Sequence, residues 1–441
     1  MDLSSITGGN ASNQGQQPAI VYTAQASSPI VNGEAKLTIG EKALSVATLF
    51  ASVDVAFAEM NELRLADYVV TVKADSGSFA FSRMGDWSQP FYDALCGAYN
   101  KAVLRSLFIG GAPIVTARGY YRFDETPGMA AQPTAPLQSM PIYVYENSVV
   151  TLPADLTARR VPLCFVSGMD KSSFELTLKL DTGESYTYAK LGYETAVFSQ
   201  AVENQIRKMR EKTLTALRGV DPALTSAQAS RLAGLMPQGV AAPIGQLAAI
   251  APSFVAALEG KISATRAAES YGAFKELCGA AHIWLGFREN DDARLRTEND
   301  ENGNMGGLTD SISPVFDSEL SPESGGNDGD RYMIWLVAPS PNGMFAAVEF
   351  AAADSATFVY RTGGNFTAFA RKLNRALEAI SFRREVIRLT DTELLKPENA
   401  DYYMAAKRTA ALQFIRLNFT GRAIHSGIDA WKRKLTQLWN G

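Results

Sequence analysis

The chain has 441 residues, of which 46% are hydrophobic and 20% are charged, and its formal net charge is −4. This composition is typical of a folded protein with a sizeable core, and it excludes the disordered and fibrous classes. The negative charge argues against nucleic acid or an anionic membrane as the partner of the whole chain, and the length suits about three domains of roughly 150 residues.

The first 18 residues are polar and predict a disordered tail without the basic and apolar regions of a signal peptide. Cys96, Cys164 and Cys278 stand far apart among apolar residues, which is typical of reduced, buried thiols. Together these features predict a cytoplasmic protein.

A similar segment occurs three times and organises the chain. Its copies begin at Asp67, Ser173 and Met344, and each reads as strand, tight turn, strand, glycine corner and helix. An aromatic residue falls six positions after the corner glycine, and an aliphatic residue falls ten positions after it. We expect the aromatic to plug the open end of an antiparallel sheet. In copy order, the glycine, aromatic and aliphatic residues are Gly85, Phe91 and Leu95, then Gly192, Phe198 and Val202, then Gly363, Phe369 and Leu373.

The predicted fold class is α+β, with three antiparallel sheet or barrel domains that are each closed by a C-terminal helix. Further strands are predicted ahead of each copy, and a proline-rich stretch marks the first boundary. The predicted organisation is a disordered tail at 1–18, a first domain at 19–124, a proline-rich linker at 125–140, a second domain at 141–220, a helical insert at 221–280, a third domain at 281–390 with a disordered acidic loop at 289–330, and a helical tail at 391–441.

The helical insert includes an uncharged stretch, 232–258, that is long enough to span a bilayer. Because it is rich in alanine and glycine and contains three prolines, we predict instead a helix-loop-helix within a soluble domain. Thr225 and Ser253 are the expected N-caps of its helices.

Sheets closed by one C-terminal helix resemble pleckstrin-homology-like domains over about 19–110, 141–217 and 281–381. The chain also resembles a bacterial protein family, without an assigned activity, that is built of such domains in tandem. The residues that carry this resemblance are the FSRMG and YAKLG corners, the ATFVYR strand, the SFRREVIRL segment with its expected short strand, and FTGRAIH with the following Trp431. The third corner departs from this pattern, because Thr362-Gly363-Gly364 replaces the Met-Gly or Leu-Gly of the other copies.

Enzyme motifs for nucleotide, zinc or disulfide chemistry are absent from the sequence, so no catalytic, metal or cofactor site is predicted. Ser270 lies in a faint nucleophile-elbow pattern, but within a predicted helix. The acidic stretch 298–309 has calcium-loop spacing without the glutamate needed at its twelfth position, so it is interpreted as a solvated linker. Two isolated histidines, His282 and His425, cannot form a conventional zinc site.

The C-terminal part, from Arg371 to Lys434, is rich in basic residues. It is interpreted first as a helical appendage packed on the third domain, then as a docking face for an acidic partner such as the 289–330 loop, and last as a site for nucleic acid or anionic lipid. The candidate interaction residues are Arg383, Arg384, Arg422, His425, Lys432, Arg433 and Lys434.

The predicted function is a non-enzymatic adaptor that binds one or more partner proteins through the pleckstrin-homology-like domains. No small-molecule substrate is evident from the sequence. The alternatives are binding of an anionic membrane or nucleic acid through the basic C-terminal region, and an enzyme whose site the sequence does not reveal.

Overall fold

The computed structural model describes residues 21–109, 111–124, 139–152, 159–289, 332–351, 354, 356–383 and 385–440. The predicted disordered tail, nearly all of the proline-rich linker and nearly all of the acidic loop lie outside these residues. The chain divides into a first compact unit that ends at Arg105 and a second that begins at Ser106.

The first unit is a seven-stranded antiparallel sheet followed by one helix. The strand order is β4-β3-β2-β1-β7-β6-β5, so the first and last hairpins meet through β1 and β7, and the sheet ends at β4 and β5. Phe91 and Leu95 of the helix are fully buried against it, as the repeat predicts. The elements are β1 (Val21–Ser27), β2 (Asn32–Ile39), β3 (Ala43–Thr48), β4 (Ser52–Ala56), β5 (Met60–Ala66), β6 (Val69–Ala74), β7 (Gly77–Ser82) and α1 (Ser88–Ser106).

The second sheet has the equivalent order, β11-β10-β9-β8-β14-β13-β12, and a closing helix that buries Phe198 and Val202. Its first strand, β8, pairs with β9 and β14. The predicted first domain, 19–124, is therefore too long, since 115–124 belong to the second sheet. The elements are β8 (Val115–Asp124), β9 (Met140–Val144), β10 (Ser148–Thr151), β11 (Arg159–Pro162), β12 (Val166–Lys171), β13 (Glu175–Leu180), β14 (Ser185–Ala189) and α2 (Thr195–Val220).

Four helices follow in the place of the predicted insert. Thr225 caps the first of them in a capping box with Gln228, as predicted. Ser253 is not a cap, because its hydroxyl donates instead to Asp221 Oδ2 at 2.7 Å. The helices are α3 (Ser226–Leu235), α4 (Ile244–Ile250), α5 (Pro252–Ser263) and α6 (Ala268–Cys278).

The third sheet does not repeat the order of the first two. Its six strands lie in sequence order, β15 to β20, so the prediction of three equivalent domains is wrong for the third. What recurs is the β18–β19 hairpin and the helix α7 after it. The strands are β15 (Ala242–Pro243), β16 (Trp284–Glu289), β17 (Tyr332–Pro339), β18 (Phe345–Phe350), β19 (Ala356–Arg361) and β20 (Phe419–Ile424), and the helix is α7 (Phe366–Ala379).

The C-terminal region is not a helical tail alone, because β20 within it pairs with β19 and forms an edge of the third sheet. The strand expected within SFRREVIRL is instead the short helix α8 (Glu385–Arg388). The remaining helices are α9 (Asp391–Leu394), α10 (Ala400–Arg408), α11 (Ala410–Leu417) and α12 (Ile428–Asn440).

Helices cover both faces of the third sheet. Alternate strand residues such as Leu336 and Val359 pack against α3 to α6 and α12. Their neighbours Val337 and Tyr360 point the other way and pack against α7, α10 and α11. Because both faces are buried, the strands are apolar at nearly every position rather than at every second one.

Candidate interaction surface

The two seven-stranded sheets pass to their helices through the same backbone turn. Arg83 and Lys190 directly follow the last strands, β7 and β14, with φ of 61° and 55°. Gly85 and Gly192 come two residues later, with φ of 54° and 61°. The left-handed conformation costs a residue with a side chain about 1–2 kcal/mol. We call 83–88 the first corner and 190–195 the second corner.

Each corner is held by a hydroxyl group at the start of the helix. Ser88 Oγ donates to the carbonyl of Gly85, and Thr195 Oγ1 donates to the carbonyl of Gly192, both at 2.8 Å. Ser88 Oγ also lies 3.1 Å from the carbonyl of Tyr68, in the turn before β6. The corner and this turn therefore form one rigid rim.

Each rim carries two exposed aromatic side chains. In the first unit these are Tyr68 and Trp87, with 70% and 66% of their surface exposed, and in the second sheet they are Phe174, at 75%, and Tyr193, which is fully exposed. Tyr68 and Phe174 occupy equivalent positions. Each is the last residue before the first strand of the final hairpin, which is β6 in the first sheet and β13 in the second. Phe91 and Phe198 fill the sheet cores, and Trp87 keeps one edge contact with the buried Tyr22, at 6.4 Å between ring centres.

Each corner begins with an exposed cation. Arg83 is exposed and makes no ion pair or hydrogen bond with another described residue. Lys190 is also exposed, and its Nζ lies 4.8 Å from the centre of the Tyr120 ring. An aromatic pair with an adjacent cation is the composition that binding hot spots favour.

The third corner, 362–366, is built differently. Thr362 is buried, and its hydroxyl donates to the carbonyl of Gly343 at 2.6 Å and accepts from the amide of Gly364 at 3.1 Å. Met344, which is 47% exposed, takes the place of Tyr68 and Phe174. Phe366 packs edge-on against Trp284. This corner therefore lacks an exposed aromatic pair.

The predicted basic residues do not form one surface. Arg383 follows α7 and stacks over Phe108, with its guanidinium carbon 4.4 Å from the ring centre. The residues near the C-terminus lie on β20 and α12, and α12 covers the opposite face of the third sheet from α7. Arg384 lies outside the described residues.

Four of the remaining candidates lie together on β20 and α12. Arg422, on the edge strand, and Arg433 are exposed. Lys432 pairs with Glu276 of α6 at 3.0 Å, and Lys434 donates to the side chain of Gln437 at 3.2 Å. Because part of this charge is already paired, the surface is less basic than the sequence suggests.

His425 belongs to a polar cluster within the third sheet. Its Nε2 lies 3.4 Å from Oε2 of the fully buried Glu349 and 3.2 Å from Oγ1 of Thr357. Ser270 Oγ donates to the other oxygen of Glu349 at 2.8 Å, and the indole of Trp431 donates to Thr357 Oγ1 at 2.8 Å. The hydrogen bond that His425 donates to the carboxylate of Glu349 raises the pKa of His425 against the effect of burial.

Sequence reasoning missed Glu349, although a charged residue at an inward-facing position of an apolar strand is a usable signal. The serine of this cluster points to Glu349 rather than to His425. Its geometry is therefore not that of a serine activated by histidine, which needs a hydrogen bond between the two side chains.

A buried ion pair between the second and third sheets was also missed. Arg160 of β11 and Glu378 of α7 have side chains that are 2% and 4% exposed, and they meet at 3.3 Å. Arg160 also donates to the main-chain carbonyls of Glu378 and Ala379, at 2.8 and 3.2 Å. Arg288 approaches the second oxygen of Glu378 at 3.4 Å. Only the tertiary fold brings these residues together.

Comparisons with known proteins add little to this description. No protein-family model and no curated protein matches the chain. The matching solved structures include one entitled "Structure of the Spt16D Pob3N heterodimer", with 8% identity over 38% of this chain and 86% of that chain and a TM-score of 0.16. At this TM-score the match does not assign a fold. In the part of the chain that the structure describes, no helix combines the length and hydropathy needed to cross a bilayer.

Proposed function

We propose that this chain is a non-enzymatic interaction protein of the bacterial cytoplasm, and that its two seven-stranded sheets are pleckstrin-homology-like domains. The shared strand order and the single closing helix support the domain assignment. The location is supported by three free cysteines. Burial raises the pKa of Cys96 and that of Cys278 to about 11, which suits thiols that stay reduced.

The observation that carries the proposal is the recurrence of an exposed aromatic pair at equivalent rims of two domains. Single exposed apolar residues are normal on a protein surface, but a repeated pair on a rigid backbone is not required by folding. Tyrosine and tryptophan are enriched among the residues that dominate binding energy. The occupant that fits each rim is a partner-protein segment that offers apolar side chains to the rings and an acidic group to Arg83 or Lys190.

The test begins with a photo-crosslinking amino acid placed at Tyr68 or Tyr193 in cells of the native host. Asp54 lies in the edge strand β4, four strands from β7, and Glu211 lies well along α2; both are exposed and provide control positions. We expect a discrete crosslinked protein from the rim positions and not from the controls. Equal crosslinking at rim and control positions would contradict the proposal.

The crosslinked protein is then purified and its affinity for the chain is measured. Because loss of a hot-spot ring costs about 2 kcal/mol or more, Trp87→Ala or Tyr193→Ala should weaken binding at least about tenfold. Asp54→Ala and Glu211→Ala should leave the affinity unchanged. A partner that binds every variant equally would not use the rims, and the proposal would then be wrong.

A further inference from the structure

A pocket of about 260 Å³ lies in the second unit, where the second sheet, the insert helices and α7 meet. At about 30 Å³ for each water molecule this is the volume of roughly nine waters. It is smaller than the sites of about 300 Å³ and above that hold drug-sized ligands. A compact metabolite would fill it. The lining residues used below are Phe165, Asp181, Leu235, Trp284 and Arg371.

The wall contributed by the insert is held in place by hydrogen bonds. The amide of Ala241 donates to Asn374 Oδ1 at 3.1 Å, and Asn374 Nδ2 donates back to the carbonyl of Ala241 at 2.9 Å. Just before it, Gly239 has φ of 73°, and a Cβ atom there would lie 1.6 Å from the carbonyl oxygen of Phe287. These contacts hold the segment 239–241, which lines the pocket, against α7 and β16.

Two opposite charges line the pocket without being paired to each other. Asp181 lies in the turn between β13 and β14, and Arg371 projects from α7. Neither forms an ion pair with any residue that the structure describes. Burial raises the pKa of Asp181, and the positive charges of Arg371 and Arg375 oppose this effect. Because Asp181 and Arg371 line the same pocket, one bound molecule can reach both groups.

The remaining walls combine polar residues, such as Gln246 and Thr367, with three large apolar side chains. Phe165, Leu235 and Trp284 line the pocket, and Trp284 is held by an edge contact with Phe366 at 6.1 Å between ring centres. A ligand with both charges and an apolar body would contact the two charged groups and the three apolar side chains at once. An anion alone would leave the carboxylate of Asp181 facing it without compensation.

We propose that this pocket binds a free α-amino acid with an apolar side chain. The carboxylate of the ligand pairs with Arg371, its ammonium group pairs with Asp181, and its side chain lies against Phe165, Leu235 and Trp284. Arginine binds a carboxylate through two parallel hydrogen bonds, which fixes the orientation of the ligand. This site goes beyond the proposed interaction function and does not depend on the rims.

The test measures binding of the twenty free L-amino acids to the full chain by calorimetry. At least one apolar amino acid should bind saturably, and its N-acetyl and C-amide derivatives should bind at least tenfold more weakly to the unaltered protein. Asp181→Asn and Arg371→Gln should each reduce affinity at least tenfold. The matched controls Asp170→Asn, on the neighbouring strand β12, and Lys372→Gln, the next residue of α7, should stay within twofold.

Three results would overturn the proposal. The first is that no amino acid binds. The second is that the N-acetyl or C-amide derivative binds as well as the free amino acid, a comparison that needs no variant and so does not depend on variant folding. The third is that both pocket variants bind as the unaltered protein does.

Discussion

The second and third corners begin from the same local plan but present opposite surfaces. In the second, the rim exposes Phe174 and Tyr193, whereas in the third the threonine hydroxyl is buried and Phe366 packs inward. The helix α2 after the second corner is a long surface helix, whereas α7 is buried on most of its surface, including Glu378. A strand-turn-strand-corner-helix unit therefore does not determine which of its sides meets solvent.

The physical reason is the number of layers around each sheet. The closing helix of each seven-stranded sheet leaves the rim free, but the third sheet is covered on both faces by helices. Its corner must pack against other elements, so it uses side-chain hydrogen bonds and two glycines in place of a strained cation and an exposed ring. The third domain is therefore the scaffold of the second unit, and the rims are available for binding.

The largest expected effect comes from breaking the ion pair by which α7 is held to the second sheet. Glu378→Ala leaves the buried guanidinium of Arg160 without its carboxylate, and should destabilise the second unit by about 3–5 kcal/mol. Urea unfolding followed by fluorescence measures this loss. The control is Glu62→Ala, which removes the exposed pair with Lys73 in the first unit and should cost at most about 1 kcal/mol. Equal losses from the two changes would show that the pair has no structural role.

A smaller effect is expected at the third corner. Thr362→Ala removes two hydrogen bonds from a buried position, and should destabilise the protein by about 1–3 kcal/mol. Thr362→Ser keeps the hydroxyl and should recover most of this loss in the same unfolding assay. If serine and alanine behave alike, the hydroxyl does not close this corner.

At the other corners, replacement of the left-handed cation is expected to stabilise the protein rather than destabilise it. Arg83→Gly relieves a left-handed residue that costs about 1–2 kcal/mol, while the added chain entropy of glycine removes about 0.5–1 kcal/mol of this gain. We expect a net stabilisation of up to about 1 kcal/mol, together with weaker partner binding. A destabilised Arg83→Gly protein would show that the side chain supports the fold instead.

The smallest expected effect is a pH dependence confined to the third sheet. Because the folded-state pKa of His425 is raised, its stabilising contribution is fully present below the ordinary histidine pKa of about 6.5, and is lost as the pH rises through the raised value. Glu349→Gln keeps the hydrogen-bonding shape but removes the charge, so the pKa of His425 should fall.

NMR titration measures this pKa, and His282→Gln assigns the signals, since the chain has only these two histidines. An unchanged His425 pKa in Glu349→Gln would contradict the assigned role of the carboxylate. A fall in the stability of the unaltered protein as the pH rises above about 6.5 is the matching expectation for the fold.

Local features of the fold were predictable and pairing between distant segments was not. The corner glycines, the buried Phe91, Phe198 and Phe369, and the Thr225 cap follow from turn chemistry and spacing. The expected strand in SFRREVIRL is in part a helix, because its few apolar residues are too short a pattern to distinguish helix from strand. The candidate rims were only partly predictable, since aromatic residues near a turn do not reveal their exposure.

The sequence by itself determined the three hairpin-corner-helix units, because these depend on residues within about 35 positions of one another. Only the tertiary structure decided that β8 joins the second sheet, that β20 lies beside β19, and that the third sheet is a simple meander. Strand pairing and the meeting of Arg160 with Glu378 join segments that are distant in the chain, and the pocket lined by Asp181 and Arg371 does the same. Their contacts depend on which surfaces remain to be buried once the local units have formed.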